Sequence, residues 1–149
     1  MLRTEHELRI ATMLNPLAQA WRAAADAALG EVGIKSAAAW CLVHLARLGP
    51  NVRQTELADA IGISDPSLAR TIAQVVADGL VERRVDENDR RSNLLCLTAE
   101  GSALAKAAEE RLASLRTDLL AEASDADLAV ILRVFAAVNA RLGKGALAA

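Results

Sequence analysis

Apolar residues recur at helical spacing toward both ends of the chain, and they alternate as in β-strands near its middle. Residues 5–29 carry one continuous apolar stripe, which predicts a long amphipathic helix. Pro16 lacks an amide donor and its ring clashes with the preceding turn, so we expect a kink near Asn15 or a break capped by Asn15. The stripe consists of Ile10, Met13, Leu14, Leu17, Trp21, Ala24 and Ala28.

Two more helices are indicated by the same spacing. A loop over residues 30–35 leads to a second predicted helix over residues 36–48, which ends at Gly49 and Pro50. Residues 99 to about 122 predict another long helix. Its apolar side contains Leu104, Ala108, Leu112, Leu115 and Leu119.

A last amphipathic helix is predicted near the C-terminus. Ser124 and Asp127 have the spacing of a capping box, in which each side chain bonds the other residue's amide, and Gly143 ends the helix. Its apolar residues are Leu128, Ile131, Leu132, Phe135, Val138 and Leu142.

The centre of the chain predicts two short helices joined by a tight turn. Residues 54–61 form the first, and Gly62 supplies the left-handed position that ends it. Asp65 is expected as the N-cap of the second, with Pro66 at its first helical position. Helix, glycine turn and helix in this order favour a helix-turn-helix.

The second of these helices has two distinct faces over residues 67–78. Leu68, Ile72 and Val75 point to one side. Small hydroxyls, glutamine and arginine can reach base edges in a major groove, so the other side is a candidate reading face. The alternative is a merely solvated helix surface. The polar residues are Ser67, Arg70, Thr71, Gln74 and Asp78.

A hairpin follows these helices. Residues 80–85 alternate like a strand, residues 86–89 are turn-forming, and residues 92–97 return as a second strand. Thr98 is placed to cap the following helix. The predicted fold class is therefore mainly α: a winged helix-turn-helix with long N- and C-terminal helices and a two-stranded β-wing.

The hairpin also carries a family motif. Asp89, Arg91, Leu97 and Thr98, followed by Ala-Glu-Gly, resemble the wing signature of MarR-type transcriptional regulators. The upstream segments ELADAIGI and GLVERR resemble the same family. The resemblance implies that an arginine at the tip, Arg91, enters the minor groove and that Asp89 helps to orient it. A guanidinium on a rigid hairpin suits a narrow, strongly negative groove.

Two positions depart from the family pattern. Ala69 stands where many relatives carry a threonine on the recognition helix, which removes one possible DNA contact. Arg53 stands where the preceding helix usually has a serine or threonine cap, so we expect a weaker helix start. The residues we assign to DNA contact are Ser67, Arg70, Thr71, Gln74, Arg84, Asp89, Arg90 and Arg91.

The net charge is −2, which argues against DNA binding because phosphate neutralisation normally leaves a basic footprint. The objection weakens because arginines are concentrated on the wing, although acidic residues offset them locally. We therefore expect modest, salt-sensitive affinity for double-stranded DNA.

The terminal helices have more apolar surface than a winged-helix core needs, which implies a partner. In MarR-type dimers such helices pair across a two-fold axis, so the resemblance implies a homodimer. We expect one domain, with residues 1–35 and 99–149 as dimerisation helices and residues 36–98 as the DNA-binding region. The alternative is a monomeric bundle that covers its own apolar stripes.

Composition narrows the function further. The chain has 149 residues, of which 53% are hydrophobic, enough for the core of one domain. The absence of a signal peptide or an 18-residue apolar span predicts a soluble cytoplasmic protein without membrane contact. We find no enzyme motif and expect no catalytic residue and no cofactor.

A small-molecule site is a further expectation. Relatives bind aromatic or anionic effectors between the dimer helices and the winged region, and the scarce aromatic and titratable residues Trp21, Trp40 and His44 cluster near there. Trp40 with His44 four residues on forms a candidate aromatic wall with one polar handle. Alternatively, both tryptophans fill the core and His44 is a satisfied interior imidazole.

The cysteines leave two alternatives open. Cys41 and His44 could form half of a metal site, but further ligands are not evident, so we expect no bound metal. A redox-sensing regulator that uses Cys41 or Cys96 is the second alternative, although Cys96 has no adjacent lysine or arginine to lower its pKa.

The last competing function is a winged helix that contacts proteins instead of DNA.

Overall fold

The computed structural model describes residues 2–143. Met1 and residues 144–149 belong to the expected dimerisation segments and lie outside the described residues. The described helices and strands, in chain order, are α1 (Arg3–Gly30), α2 (Ser36–Leu48), β1 (Val52–Arg53), α3 (Gln54–Ile61), α4 (Asp65–Ala77), β2 (Val81–Val85), β3 (Asn93–Leu97), α5 (Ala99–Leu119) and α6 (Asp125–Arg141).

The chain forms two compact units. One extends to Leu115 and contains the helix-turn-helix, the sheet and most of α5, and the other begins at Arg116 and contains α6. The predicted mainly helical winged helix-turn-helix is confirmed, and the bounds of α3 agree with the prediction.

The strands form an antiparallel sheet with β3 in the middle. Val81 pairs with Leu97 in the β2–β3 hairpin, and Val52 of β1 pairs with Leu95 on the other edge of β3. The sequence pattern predicts the hairpin but not β1. A strand of two residues is too short to show alternation, so its position depends on pairing with β3.

The core of the first unit lies between the helices and the sheet. Leu68, Ile72 and Val75 of α4 are fully buried, which confirms the predicted inner face. They pack with buried residues of α2, α3 and the sheet in one cluster. A second cluster joins the end of α1 to α2 and α5, where Leu29 and Ala108 are buried.

The start of α5 is joined through Thr98 to the segment that follows α4. Its Oγ1 accepts a hydrogen bond from Gly101 N at 3.1 Å, which confirms the predicted cap, and donates one to Gly79 O at 2.7 Å. The amide of Thr98 donates to Leu80 O at 3.1 Å. A Cβ at position 101 would overlap that same carbonyl, so this close approach requires glycine.

Pro16 does not break α1, which is helical from Arg3 to Gly30. The expected break capped by Asn15 is therefore wrong. Proline in a helix interior costs about 3 kcal/mol, and the remaining hydrogen bonds of the long helix hold the two halves together. The kink near Asn15 stays a prediction.

The N-cap of α4 is Ser64, so the expected cap at Asp65 is wrong. Ser64 has extended backbone angles, whereas Asp65 is already helical. The Ser64 hydroxyl donates to the Ser67 hydroxyl at 3.1 Å and makes no cap hydrogen bond. Asp65 still stabilises the helix from its first turn, because its negative charge lies near the positive end of the helix dipole.

The other helix ends agree with their sequence signals. Gly62 ends α3 in the left-handed conformation, with φ 80°. Arg53 precedes α3 without a side-chain cap hydrogen bond, as its departure from the family pattern implies. Ser124 and Asp127 form the predicted capping box of α6, and the hydrogen bonds from Ser124 lower the pKa of Asp127.

Most of the exposed large apolar side chains lie on α1 and α6. No residue within α6 is buried, and Leu132 is 68% exposed. None of the helices within residues 2–143 is long and apolar enough to cross a membrane. The exposed apolar residues of α1 and α6 include Leu8, Ile10, Met13, Leu14, Leu17, Ile131, Leu132, Phe135 and Val138.

Candidate nucleic-acid interface

The helix α4 presents a polar face opposite its buried residues. Ser67, Arg70 and Gln74 are exposed and Thr71 is half-buried. Because Leu68, Ile72 and Val75 are fixed in the core, the rotation of α4 about its axis is fixed, and so is the direction of this face. The structure thus brings the four predicted reading residues of α4 together on one surface.

Most of these polar groups have local partners. Gln74 Nε2 donates to Asp78 Oδ1 at 3.0 Å, and Thr71 Oγ1 donates to Ser67 O at 3.5 Å. The Arg70 side chain has no hydrogen bond or ion pair among residues 2–143. Its guanidinium is therefore available, whereas Gln74 must exchange an internal bond for any new one.

The wing extends from the sheet beyond the core. Arg84, Arg90 and Arg91 are exposed on it, and α4 packs against β2 at its base. Arg84 Nη2 lies 3.2 Å from Glu82 Oε2. The predicted wing residues and the predicted reading face therefore belong to the same compact unit.

Asp89 organises the tip of the wing through the main chain. Its Oδ1 accepts a hydrogen bond from Arg91 N at 3.1 Å, and its Oδ2 accepts one from Ser92 Oγ at 3.3 Å. Asp89 contacts the backbone of Arg91 and leaves the guanidinium exposed. The carboxylate thus fixes where the arginine leaves the turn while its side chain remains free to reach outward.

Asp86 and Arg53 form a pair that the sequence analysis missed. Asp86 is 5% exposed, and its Oδ2 accepts a hydrogen bond from Arg53 Nη2 at 3.0 Å. Its Oδ1 accepts one from Asn88 N at 3.0 Å. The turn position of Asp86 was a sequence signal, but a partner 33 residues away was not visible.

Trp40 and His44 lie together on α2, with ring centroids 5.8 Å apart. Burial, Arg47 and Arg22 lower the pKa of His44, and Glu109 opposes them. Among residues 2–143 no ring contact joins Trp21 to this pair. The structure therefore brings two of the three expected ligand-binding residues into contact, and Trp21 is half-buried on α1.

A cavity of about 690 Å³ opens elsewhere in the same unit, between the end of α2, the sheet and α5. Arg47 and Glu109 form a two-pronged ion pair at its wall, with the closest atoms 2.9 Å apart. Arg84 and Cys96 also line it, whereas Trp21, Trp40 and His44 do not. The expected ligand residues and this cavity are thus at different places.

Both cysteines are buried. Burial raises the pKa of the Cys41 thiol to about 12, which keeps it protonated and unreactive near neutral pH. Cys96 Sγ donates to Asn51 Oδ1 at 3.1 Å. Among residues 2–143 no group of three or more histidine, cysteine or acidic side chains has the arrangement of a metal site.

Comparison with known proteins places these features in a family. The sequence model of the MarR family matches residues 32–92. The transcriptional regulator PA3341 is 33% identical, with a TM-score of 0.82 over 90% of this chain and 98% of that one. The MarR family transcription regulator SP03579 is 21% identical, with a TM-score of 0.82 over 94% of this chain and 92% of its own.

A third similar structure contains a ligand. CouR from Rhodococcus jostii RHA1, bound to p-coumaroyl-CoA, is 22% identical, with a TM-score of 0.74 over 87% of this chain and 90% of its own. PA3341 and SP03579 are both transcriptional regulators. The fold, the wing motif and the similarity to PA3341 agree, and the chain belongs to the MarR family of transcriptional regulators.

Proposed function

We propose that this protein is a sequence-specific DNA-binding regulator, and that it represses transcription as a homodimer on an inverted-repeat operator. The observation that carries the proposal is the exposed polar face of α4 next to a wing whose tip arginine is held by Asp89. Family membership supports it, and so does the fixed rotation of α4 by its buried residues.

Each part of this surface has a separate role. On α4, Arg70 and Gln74 read guanine and adenine edges in the major groove, while Ser67 and Thr71 contact bases or phosphates. On the wing, Arg91 enters the minor groove and Arg84 and Arg90 contact phosphates. Asp89 acts indirectly because it orients the turn that carries Arg91.

The dimer is formed by the N-terminal helix and by the helices after the wing, in the segments 1–35 and 99–149. The exposed apolar side chains of α1 and α6 support this assignment, because a large exposed apolar patch marks an interaction site. A two-fold axis then sets two reading heads about one DNA turn, or roughly 10 bp, apart. We place the protein in the cytoplasm, as expected of a MarR-family regulator.

Binding to random duplex DNA tests the main proposal. Fragments recovered by the protein from a random pool should converge on an inverted repeat, and binding to it should weaken as salt increases. Recovery of no preferred sequence would contradict sequence-specific regulation. Binding that is absent at low salt would instead favour a winged helix used for protein contacts.

A small aromatic or anionic effector near Trp21, Trp40 and His44 is the second part of the proposal. The contact between Trp40 and His44 supports it, as does the ligand of the similar protein CouR. An effector that favours another separation of the two heads releases DNA, and tenfold release needs only about 1.4 kcal/mol of coupling.

The two tryptophans make fluorescence a direct assay of this site. A screen of aromatic carboxylates and phenols should find a compound that changes the emission and lowers DNA affinity, and His44→Ala should reduce both effects. His6→Ala serves as a control because His6 is exposed on α1. A compound that releases DNA without either response would place the effector site elsewhere.

A further inference from the structure

The buried carboxylate of Asp86 lies where the three strands and the wing turn meet. Asp86 follows the last residue of β2, and its amide donates to Ser92 O at 3.1 Å, which closes the base of the turn. Its carbonyl accepts from Asp89 N at 3.2 Å. The backbone and the side chain of one residue are therefore both used to hold the segment that carries Arg91.

Arg53 connects this segment to the reading helices. It is the second residue of β1 and the N-cap of α3, so its backbone is part of the start of the helix-turn-helix. Its guanidinium reaches across to Asp86, and the Arg53 side chain is 47% exposed while that of Asp86 is 7% exposed. A carboxylate that is this buried needs its cationic and amide partners, because an unpaired buried charge is costly.

We propose that Asp86 is a positioning residue for DNA binding: through Arg53 it holds the wing that carries Arg91 at a fixed orientation to the helix-turn-helix. This inference rests on the proposed DNA-binding function. A groove-spanning protein must present its wing and its reading helix at the same time, and an arginine displaced by about 1 Å loses much of its contact. Asp86 itself is too buried to contact DNA.

The sign of the charge effect makes the inference testable. Removing an acidic group near the DNA should strengthen binding by simple electrostatics. Glu87→Gln, at an exposed residue of the same turn, should give this result and is the matched control. Asp86→Asn makes the same change of charge and keeps an acceptor for Asn88 N, yet it should weaken binding by about threefold to tenfold.

A double-mutant cycle separates positioning from general stability. In the Arg91→Ala background, Asp86→Asn should have little further effect on DNA affinity, because the contact that it positions is gone. In the Gln74→Ala background the full effect should remain. A loss of stability alone would reduce affinity in both backgrounds alike, and that result would overturn the inference.

Arg53 provides a second test that does not depend on the folding of Asp86→Asn. Arg53→Gln should lower the affinity for DNA. Like Asp86→Asn, it should have little further effect in the Arg91→Ala background. Arg53→Lys keeps the positive charge and should retain most of the affinity. Equal affinity of Asp86→Asn and Glu87→Gln, or equal loss in both Arg53 variants, would refute the positioning role. Failure of the unmodified protein to bind duplex DNA would instead refute the proposed function.

Discussion

Trp40 Nε1 donates a hydrogen bond of 2.7 Å to Asp26 Oδ1, which joins α2 to α1. The same oxygen lies 3.4 Å from Nε of Arg22, whose guanidinium carbon is 4.3 Å from the centroid of the Trp40 ring. One carboxylate therefore holds both the indole nitrogen and the cation stacked on the indole. A ligand at the proposed site would therefore meet an indole N–H that already has an acceptor.

Asp26→Ala should destabilise the protein because the half-buried indole N–H loses its acceptor. We expect a loss of about 1 kcal/mol in the free energy of unfolding, measured by urea denaturation. Asp26→Asn keeps an acceptor and should lose less. Glu110→Ala, at an exposed position of α5, is the control and should change the free energy by less than about 0.5 kcal/mol. Equal values for Asp26→Ala and Glu110→Ala would show that the bond contributes nothing.

Leu132→Glu should dissociate the dimer, because Leu132 is 68% exposed on α6 and belongs to the apolar side assigned to the interface. Each subunit of a two-fold dimer contributes one Leu132, so the substitution removes the burial energy of two leucines. At about 1.5 kcal/mol per leucine, the dissociation constant should rise on the order of a hundredfold. Sedimentation at micromolar concentration measures this. Arg133→Glu, on the neighbouring position of the same helix, should leave the dimer intact. A stable monomer for the unmodified chain would contradict the interface itself.

Arg91→Ala should weaken binding to every duplex sequence and reduce the salt dependence of the binding constant, because a contact in a groove or to phosphate is lost. The melting temperature should hardly change, since the side chain is exposed at the tip of the wing. Titration of a labelled duplex at several salt concentrations measures the slope. Lys106→Ala removes one exposed positive charge from α5 and is the control for net charge. Full affinity with an unchanged slope in Arg91→Ala would refute the wing assignment.

Gln74→Ala should change sequence preference and not general affinity. Loss of a glutamine contact to adenine should reduce discrimination at one base pair by about 1–3 kcal/mol. Competition between the preferred operator and single-base variants measures this. The internal bond of Gln74 to Asp78 must break first, so Asp78→Ala, which frees the amide, should retain the preference. An unchanged preference in Gln74→Ala would remove this residue from the reading face.

His44 should make stability depend on pH below neutrality. Its pKa in the folded chain is lowered, chiefly by burial, so the unfolded chain binds a proton first as the pH falls below about 6.5. The loss of stability stops increasing once the pH is below the pKa of His44 in the folded chain, because His44 is then protonated in both states. Free energies of unfolding at pH 7.5 and about pH 5.5 should therefore differ less in His44→Gln than in the unmodified protein. A pH dependence that is identical in the two proteins would contradict this.

Local sequence signals were sufficient for most of the fold. Leu68, Ile72 and Val75 share one face at helical spacing, and Gly62 ends its helix in the expected conformation. These features depend on residues within a few positions of one another. The local sequence does not show which of Ser64 and Asp65 is the N-cap, because the two residues are adjacent and both side chains suit that position.

Long-range partners could not be predicted from the sequence. The pairing of Val52 with Leu95 places β1 in the sheet, and the ion pair of Arg53 with Asp86 spans 33 residues. Arg53 makes no side-chain cap hydrogen bond, as expected, but its ion pair with Asp86 became visible only in the folded chain. The DNA-contact assignments remain predictions that the experiments above address.

The close approach of Gly101 to Leu80 has a mechanical consequence for α5. The helix is 21 residues long, or about 30 Å at 1.5 Å per residue, and its first turn has no room to move closer to the Leu80 backbone. A sideways displacement of about 3 Å over that length corresponds to a rotation of about 6° at the start of α5, where Thr98 bonds the carbonyls of Gly79 and Leu80 just after α4. We expect movement of α5 to reach the reading helix through Gly79 and Leu80, which follow that helix.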